Sequence, residues 1–265
     1  MDARPIGLFD SGVGGLSVLR ELRALLPAEN YIYYADQVHL PYGEKSREMI
    51  RRYALDITRF LLAEGCKALV VPCNSACAAA LHYLRDLFPQ LPIIGMEPAI
   101  KPAAAATRTG AIGVMMTRAT FQGELYASVV DRFAQGIRVE ARICPDLVTL
   151  VEAGAPQGDA AQQIVEANIG DLRAANIDQV VLGCTHFPFL RPHIERALGP
   201  HVAIIDPGPA VARQTVRVLQ TQNLRATRDV GSTRYITSGD ADHFRNLLAL
   251  LIGEAGAAVE TIRLD

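Results

Sequence analysis

The sequence predicts an α/β fold of two similar lobes, each a mostly parallel sheet flanked by helices. Three observations lead to this prediction. Short apolar segments alternate with longer segments of helical spacing along the 265 residues. Most apolar segments are continuous rather than alternating, as expected for parallel strands that helices cover on both faces. Two of these segments also look alike, because ALVVP before Cys73 and QVVLG before Cys184 both lead into a cysteine followed by polar residues.

Eight short apolar segments predict the strands. In chain order they are residues 6–9, 31–35, 68–72, 92–96, 111–116, 139–144, 179–183 and 202–206. Helical spacing between and after these segments predicts helices over residues 16–26, 46–64, 77–88, 119–134, 157–175, 189–198, 209–222 and 240–254. Regular alternation of strands and helices is typical of parallel sheets.

Two segments containing proline suggest where the chain is divided. EPAIKPAAAATRTGA, at 97–111, leads into AIGV, which restates the opening PIGL, and DPGPA, at 206–210, precedes a helix. We therefore expect a first lobe of residues 1–97 plus 210–265 and a second lobe of residues 98–209. The two strand-end cysteines are 111 positions apart and the two Ile-Gly pairs 106 apart, which suggests one repeated unit.

Composition and charge argue against several classes of protein. A net charge of −2 and a pI of about 6.3 give no basic surface suited to a nucleic-acid backbone. The N-terminus lacks a basic stretch followed by an apolar core, and no apolar run approaches the roughly 18 residues of a membrane span, so we expect a cytoplasmic protein. Five scattered cysteines fit reduced thiols better than a disulfide framework. Neither CxxC nor HExxH spacing occurs, so a zinc site has no support.

Polar residues follow the predicted strands at the positions where parallel sheets bind ligands. Such ligands lie beyond the carboxyl ends of the strands, where neighbouring loops converge. This rule selects Asp10, Ser11, Cys73, Asn74, Ser75, Thr117, Cys184, Thr185 and His186. The loop PYGEKS, at 41–46, lies outside any strand and could fold over them. The sequence therefore predicts an active site in the cleft between the lobes, with two thiols facing one another.

Two opposed thiols could remove a proton from one face of a carbon and return it on the other. A free thiol titrates near pH 8.5, so a modest change leaves one partner as thiolate and the other as thiol. Proton transfer is efficient when the groups titrate near the working pH. Because the α-carbon of an amino acid is a very poor acid, the site must also stabilise a carbanion and exclude water. Closure of the lobes would exclude it.

Four segments together resemble the glutamate racemases of the aspartate/glutamate racemase superfamily. They are FDSGVGGLSVL, LPYGEKS, the Cys-Asn-Ser-Ala segment at 73–76 and LGCTHFPFL, spread from residue 6 to about 215 in the family's order. LGCTHFPFL is the most telling, because the related aspartate racemases usually carry a glutamate where this chain has His186. The resemblance implies a cofactor-independent isomerase that converts L-glutamate to D-glutamate for peptidoglycan synthesis.

The resemblance also implies roles for individual residues. Cys73 would take the α-proton from D-glutamate and Cys184 from L-glutamate, each passing a proton to the opposite face. Asp10 and His186 match family residues that assist the two thiols. Positions that bind the substrate's carboxylates and ammonium match Ser11, Pro41, Tyr42, Gly43, Asn74, Ser75, Thr117 and Thr185, and Glu152, grouped with them, matches a glutamate near the second thiol. A homodimer is the assembly that the resemblance suggests.

Other functions fit parts of the sequence. GVGGLS follows a strand and opens a helix, with Asp36 at about the distance of a ribose-binding acid, which permits an NAD-binding oxidoreductase. Ser17 at the third glycine position and Asp10 beside the expected pyrophosphate disfavour it. A thiol hydrolase would use Cys184 with His186, although side chains two positions apart on a strand are poorly placed to interact. A racemase of aspartate and a non-catalytic amino-acid-binding module stay open.

Plainer interpretations exist for several of these residues. A buried cysteine is a common small hydrophobic residue, and we treat Cys66, Cys77 and Cys144 as structural because they lack the matched context. Asp10 and Thr117 could each cap the helix that follows.

Two places depart from the family pattern. Ser75 stands where threonine is usual, which keeps the hydroxyl. Met115 and Met116 stand where smaller residues are common, and Met116 would narrow the pocket if it faced the cleft. Methionine fills irregular gaps easily, so Met116 could instead pack behind the site.

Overall fold

The strands form two parallel sheets. The computed structural model describes residues 2–227 and 230–264. Its strands are β1 (Ile6–Asp10), β2 (Tyr31–Ala35), β3 (Ala68–Val70), β4 (Ile93–Ile94), β5 (Ala111–Met116), β6 (Arg138–Ile143), β7 (Gln179–Gly183), β8 (Ala203–Ile205), β9 (Thr233–Thr237) and β10 (Val259–Thr261). Each neighbouring pair of these strands is parallel. The predicted α/β class is confirmed.

Helices flank both sheets. They are α1 (Leu16–Leu25), α2 (Arg47–Ala63), α3 (Asn74–Leu87), α4 (Ile100–Ala106), α5 (Arg118–Gln122), α6 (Glu124–Phe133), α7 (Pro145–Glu152), α8 (Gly158–Ile169), α9 (Arg191–Leu198), α10 (Gly208–Thr221) and α11 (Ala241–Ile252). Side chains of Ser46, Thr117 and Asp240 accept hydrogen bonds from first-turn N–H groups and so begin α2, α5 and α11. Within the described ranges, no helix is both long and apolar enough to cross a membrane.

The two sheets share one strand order. The first runs β10-β9-β2-β1-β3-β4 and the second β6-β5-β7-β8. The comparison concerns the four strands of each sheet that come first along the chain, β1 to β4 and β5 to β8. In each set the first strand lies between the second and the third, and the fourth lies beyond the third. β5 therefore corresponds to β1, and β7 to β3. Because Cys73 follows β3 and Cys184 follows β7, the two cysteines occupy equivalent places.

Position along the chain decides which sheet a strand joins. Strands of the first sheet lie within residues 6–94 and 233–261, and strands of the second lie within residues 111–205. The expected divisions near 97 and 209 fall between these groups, and as domain boundaries they stay a prediction. The larger hydrophobic core contains buried residues of both sheets, and a smaller one lies between the second sheet and helices α4 and α6.

Some elements lie outside the predicted set. β9 and β10 extend the first sheet, but their sequences, TRYIT and VET, are short and mostly polar and so carry no continuous apolar signal. Helix α4 occupies the alanine-rich segment that was expected to be a connection. Helix α7 begins at Pro145, a favourable first helical residue, directly after β6.

Two predicted helices are interrupted. The one over 119–134 is divided at Gly123, whose extended backbone (φ −76°, ψ 140°) separates α5 from α6. A Cβ atom on Gly123 would lie 2.7 Å from the Cβ of Ala78 in α3, so this glycine allows a close approach between α3 and the connection from α5 to α6. The helix over 157–175 ends at Ile169 and continues as a 3-10 turn.

Met115 and Met116 are both fully buried in β5. Met115 belongs to the larger core, whereas Met116 packs in the smaller core with Tyr126 and Val181. Successive side chains of a strand point to opposite faces, which explains why the two methionines join different cores. Met116 therefore fills the interior behind the strand.

We expect Met116→Ala to lower the free energy of unfolding by about 2–5 kcal/mol, because it leaves a cavity in a closely packed core. Urea denaturation followed by circular dichroism measures the change. Met49, which is 41% exposed in α2, provides the control, since Met49→Ala should change stability by less than about 0.5 kcal/mol. Equal losses at the two positions would contradict the packing role of Met116.

Candidate active site

Loops at the carboxyl ends of β1, β3, β5 and β7 surround a small cavity. It lies where parallel sheets bind their ligands. Its walls are formed by Asp10, Ser11, Pro41, Tyr42, Gly43, Cys73, Asn74, Ser75, Thr117, Val148, Cys184, Thr185 and His186. All the predicted site residues except Glu152 therefore line one cavity.

Each sheet contributes one sulfur to this cavity. Cys73 immediately precedes α3, and Cys184 directly follows β7. Both residues are buried, with 4% and 6% of their surface exposed. The equivalence of β3 and β7 explains why both sheets present a thiol at the same edge.

A carboxyl group lies beside Cys73. Asp10 is fully buried; its Oδ1 accepts a hydrogen bond from Ser11 N at 2.7 Å and its Oδ2 accepts one from Gly15 N at 2.5 Å. Burial raises the pKa of Asp10, although the nearby charge of His186 acts in the opposite direction. Burial, and then the charge of Asp10 and a hydrogen bond to it, raise the pKa of Cys73 well above its usual value. This environment holds Cys73 as a thiol.

A cation lies beside Cys184. The Sγ atom of Cys184 is 3.5 Å from Nδ1 of His186, and Nε2 of His186 is 2.6 Å from Oε1 of Glu152. Burial alone would lower the pKa of His186, but hydrogen bonds to Cys184 and Glu152 raise it well above its usual value. Burial would raise the pKa of Glu152, but the hydrogen bond and charge of His186 lower it. His186 and Glu152 therefore form a buried imidazolium–carboxylate pair.

Glu152 lies behind His186 rather than on the cavity wall. It is the last residue of α7, and its Oε1 also accepts a hydrogen bond from Val13 N at 2.7 Å. Its Oε2 accepts a hydrogen bond from Gln37 Nε2 at 3.2 Å. These contacts orient the imidazole and leave the carboxylate one layer away from any ligand in the cavity.

Hydroxyl groups and one amide form the polar wall. Ser75 Oγ lies 2.9 Å from Oγ1 of Thr117, the cap of α5, which lies 3.0 Å from Oγ1 of Thr120. Asn74 Nδ2 donates to Met96 Sδ at 3.6 Å, whereas the buried Oδ1 of Asn74 has no hydrogen-bond partner within the described residues. A buried acceptor without a partner is unfavourable. Asn74 thus offers an acceptor to a ligand that carries a donor.

The PYGEKS loop supplies part of the cavity wall. Tyr42–Glu44 forms a 3-10 turn, and Tyr42 Oη donates to Asp36 Oδ2 at 2.6 Å. Burial raises the pKa of Tyr42 well above its usual value, so Tyr42 stays a donor. A Cβ atom on Gly43 would lie 2.9 Å from the Cβ of Thr117, so the glycine lets this loop approach the second sheet closely.

The geometry disfavours a dinucleotide site. Asp36 is buried and bonded to His39 Nδ1 at 2.9 Å and to Ser238 Oγ at 3.0 Å, rather than open to a ribose. The N–H of Gly15, the N-cap residue of α1, donates to Asp10, although no side chain in the described part of the chain caps the first turn of the helix itself. A pyrophosphate at this helix terminus would meet a carboxyl group.

Cys184 and His186 are in contact although they are two positions apart. They lie in the loop after β7, so the objection that applies to neighbours on a strand does not hold. Cys184, His186 and Glu152 resemble the nucleophile, base and orienting group of a thiol hydrolase. Such an enzyme would give no role to Cys73 on the same cavity.

Three of the five cysteines take no part in the cavity. Cys66, Cys77 and Cys144 lie away from the cavity, and burial raises their pKa values to about 12, which leaves unreactive thiols.

Val148 lines the cavity but belongs to no strand-end motif. The sequence offered one indication of its position. Val148 lies four positions before Glu152, and residues four apart share one face of a helix.

The interpretation that Met116 narrows the pocket is wrong. Met116 is absent from the residues that line the cavity and is fully buried in the smaller core.

Comparison with known proteins gives a consistent result. The Asp/Glu/hydantoin racemase family model matches residues 6–215. The chain is 51% identical to a glutamate racemase of Ectopseudomonas mendocina over 94% of this chain and 95% of that one. A glutamate racemase from Bacillus anthracis superposes with a TM-score of 0.91 at 32% identity, covering 100% and 99% of the two chains. The Escherichia coli glutamate racemase in complex with L-glutamate and the activator UDP-MurNAc-ala gives 0.87 at 34% identity, covering 98% and 99%.

We expect Glu152→Gln to move the titration midpoint of His186 to lower pH, because the carboxylate helps to retain the imidazolium proton. In the native protein the raised pKa makes this proton stabilising at pH values below the usual histidine range, and the contribution is lost as pH rises through the folded-state pKa. Imidazole ¹H–¹⁵N NMR measures the midpoint. The signal of His193, which bonds Gln162, serves as an internal control. An unchanged His186 midpoint would contradict the ion pair.

Proposed function

The chain belongs to the Asp/Glu/hydantoin racemase family, and from this premise we propose that it racemises glutamate by a two-base mechanism with Cys73 and Cys184. The relatives and solved structures compared above are glutamate racemases, so the enzyme is an isomerase. The observation that carries the proposal is the pair of thiols, one from each sheet, on a single cavity.

In the proposed reaction the thiolate of Cys184 removes the α-proton of L-glutamate. The C–H bond breaks, its electron pair stays on the α-carbon and spreads into the adjacent carboxylate, and an S–H bond forms at Cys184. The thiol of Cys73 then gives its proton to the opposite face of the carbon, which yields D-glutamate and leaves Cys73 as thiolate. The reverse reaction uses the same groups with their roles exchanged.

The charges around the sulfurs support this direction for the free enzyme. Burial, and then the charge of Asp10, keep the proton on Cys73, which is the state needed for an acid. The His186 ring lies 3.5 Å from Cys184 Sγ, close enough to exchange a proton with the sulfur that acts as base towards L-glutamate. Asp10 and His186 then help to redistribute protons between turnovers.

Stabilising the carbanion requires donors aimed at the substrate carboxylate. The hydroxyls of Ser75 and Thr117 lie on the cavity wall and can supply a donor. Those of Ser11 and Thr185 donate to Asp10 instead. The unpartnered Oδ1 of Asn74 suits the substrate ammonium, because the two groups would satisfy each other in a buried place.

The wider biological role follows from the product. D-glutamate made by a cytoplasmic enzyme would supply peptidoglycan synthesis. A homodimer, as the family resemblance suggests, is part of the proposal, and sedimentation equilibrium tests it. Aspartate is the competing substrate, and assays of both amino acids in parallel distinguish the two activities.

We expect Cys73→Ala and Cys184→Ala each to abolish racemisation, because each variant lacks one of the two proton carriers. Loss of optical rotation from L-glutamate, without added cofactor, measures the activity. Exchange of the α-proton in deuterated buffer should survive for one enantiomer only, and for opposite enantiomers in the two variants. Full activity in either variant would exclude the two-base mechanism.

Cys184→Ser should reduce kcat by about 10²–10⁴-fold, since a hydroxyl is far less acidic than a thiol. Cys66→Ser gives the matched control, because Cys66 is buried away from the cavity and the same exchange there should leave kcat unchanged. Equal losses in the two variants would show that the effect is structural.

Asn74→Ala should raise the KM for both enantiomers about three- to tenfold, because the ammonium loses its buried acceptor. Initial rates over a range of glutamate concentrations separate KM from kcat. A change confined to kcat would contradict the assigned contact.

A further inference from the structure

We propose that the glycine-rich segment GVGGLS, residues 12–17, is a seat on the first lobe that positions the loop Cys184–His186 of the second lobe, with Ser17 as its positioning residue. The segment holds no phosphate in the proposed reaction, so its glycines need another explanation. The inference rests on the proposed function, because it assigns an effect to the thiol that acts on L-glutamate.

Two of the three glycines in this segment, Gly12 and Gly14, make close contacts with the second lobe. A Cβ atom on Gly14 would lie 2.5 Å from Nδ1 of His186 and 2.5 Å from Oγ1 of Thr185. A Cβ atom on Gly12 would lie 2.0 Å from Oε1 of Glu152. Real Cβ atoms do not approach other atoms so closely, so glycine at these positions lets the backbone reach His186, the partner of the Cys184 sulfur, and Glu152, the partner of His186. The Nδ1 atom concerned is the one that faces Cys184.

Ser17 adds a directed bond to this contact. Its Oγ lies 3.0 Å from the carbonyl oxygen of Thr185 and 2.8 Å from that of Gly14, so its single proton is shared between the two acceptors. Ser17 is 4% exposed, and water cannot readily replace the hydroxyl. Thr185 joins Cys184 to His186 in the chain, so its carbonyl fixes the backbone between sulfur and imidazole.

Neighbouring residues fasten the same loop to the same lobe. Asp10 Oδ2 accepts a hydrogen bond from Thr185 Oγ1 at 3.2 Å, and Val13 N donates to Glu152 Oε1 at 2.7 Å. The turn that begins α1 thus holds Thr185, His186 and Glu152 from across the cleft. Cys73 belongs to the same lobe as the seat, so its place does not depend on the Ser17 bond.

Ser17→Ala should therefore slow proton transfer at Cys184 and leave proton transfer at Cys73 unchanged. The two enantiomers have equal free energies, so kcat/KM must fall equally in both directions, by about three- to tenfold for one buried hydrogen bond. Isotope effects separate the two sides. Slower proton transfer at Cys184 should raise the deuterium isotope effect on kcat/KM for α-deuterated L-glutamate and lower it towards 1 for α-deuterated D-glutamate.

The experiment measures both isotope effects in the native enzyme, Ser17→Ala, Ser17→Thr and His186→Gln. Ser17→Thr keeps the hydroxyl and should retain the native values. His186→Gln alters the Cys184 side alone, so the direction in which its two isotope effects change is the reference for Ser17→Ala. Thr58→Val is the matched control, because Thr58 is a buried helical hydroxyl of the first lobe that bonds only its own helix, at Ala54 O. It should leave both isotope effects unchanged.

Three results would overturn the proposed role of residues 12–17. They are equal changes of the isotope effect for the two enantiomers in Ser17→Ala, changes opposite in direction to those of His186→Gln, and an unchanged kcat/KM in Ser17→Ala. If Ser17→Ala does not fold, Ser17→Cys, with similar volume and a weaker donor, is judged by the same criterion. Failure of the native enzyme to racemise glutamate would instead reject the proposed function, so the two failures are distinguishable.

Discussion

The site depends on neighbours of opposite charge beside two buried sulfurs. Asp10 accompanies Cys73, and the His186–Glu152 pair accompanies Cys184. Charges act strongly in a cavity shielded from water: burial and Asp10 keep the proton on Cys73, whereas His186 lies within hydrogen-bonding distance of Cys184. If both sulfurs had the same surroundings, they would favour the same protonation state, and neither could act as acid to the other's base.

Duplication of the fold and divergence of its loops together create this asymmetry. β3 and β7 are equivalent strands, so the two cysteines occupy matching edges of the two sheets. The residues that follow them differ: one cysteine is followed by Asn-Ser and the other by Thr-His. Symmetry thus supplies a place for two similar groups, and the loops give each group a different electrostatic environment. The glycine contacts at the cleft then bring the loop after Cys184 within hydrogen-bonding distance of the turn that begins α1.

The sequence predicted the parallel strands and most of the cavity wall because both leave strong local signals. A continuous apolar run followed by a polar turn locates the carboxyl end of a strand, and such ends converge in parallel sheets. Val148 was missed because an apolar residue on a helix carries no such signal. The sequence also could not predict that Glu152 lies behind His186 rather than on the cavity wall, because this depends on where α7 ends relative to Val13. The side of β5 on which Met116 packs required the sheet itself, because a fully buried strand looks alike on both faces.

The strand order also has a consequence for the growing chain. The second sheet is built from a continuous stretch ending at Ile205, whereas β2 of the first sheet is flanked by β9, which ends at Thr237. On the ribosome, one edge of β2 has no native partner until β9 has emerged. The second sheet can therefore be completed earlier than the first, although synthesis of its strands begins later. A nascent chain halted between these two points would expose an unpaired edge, where other chains could add.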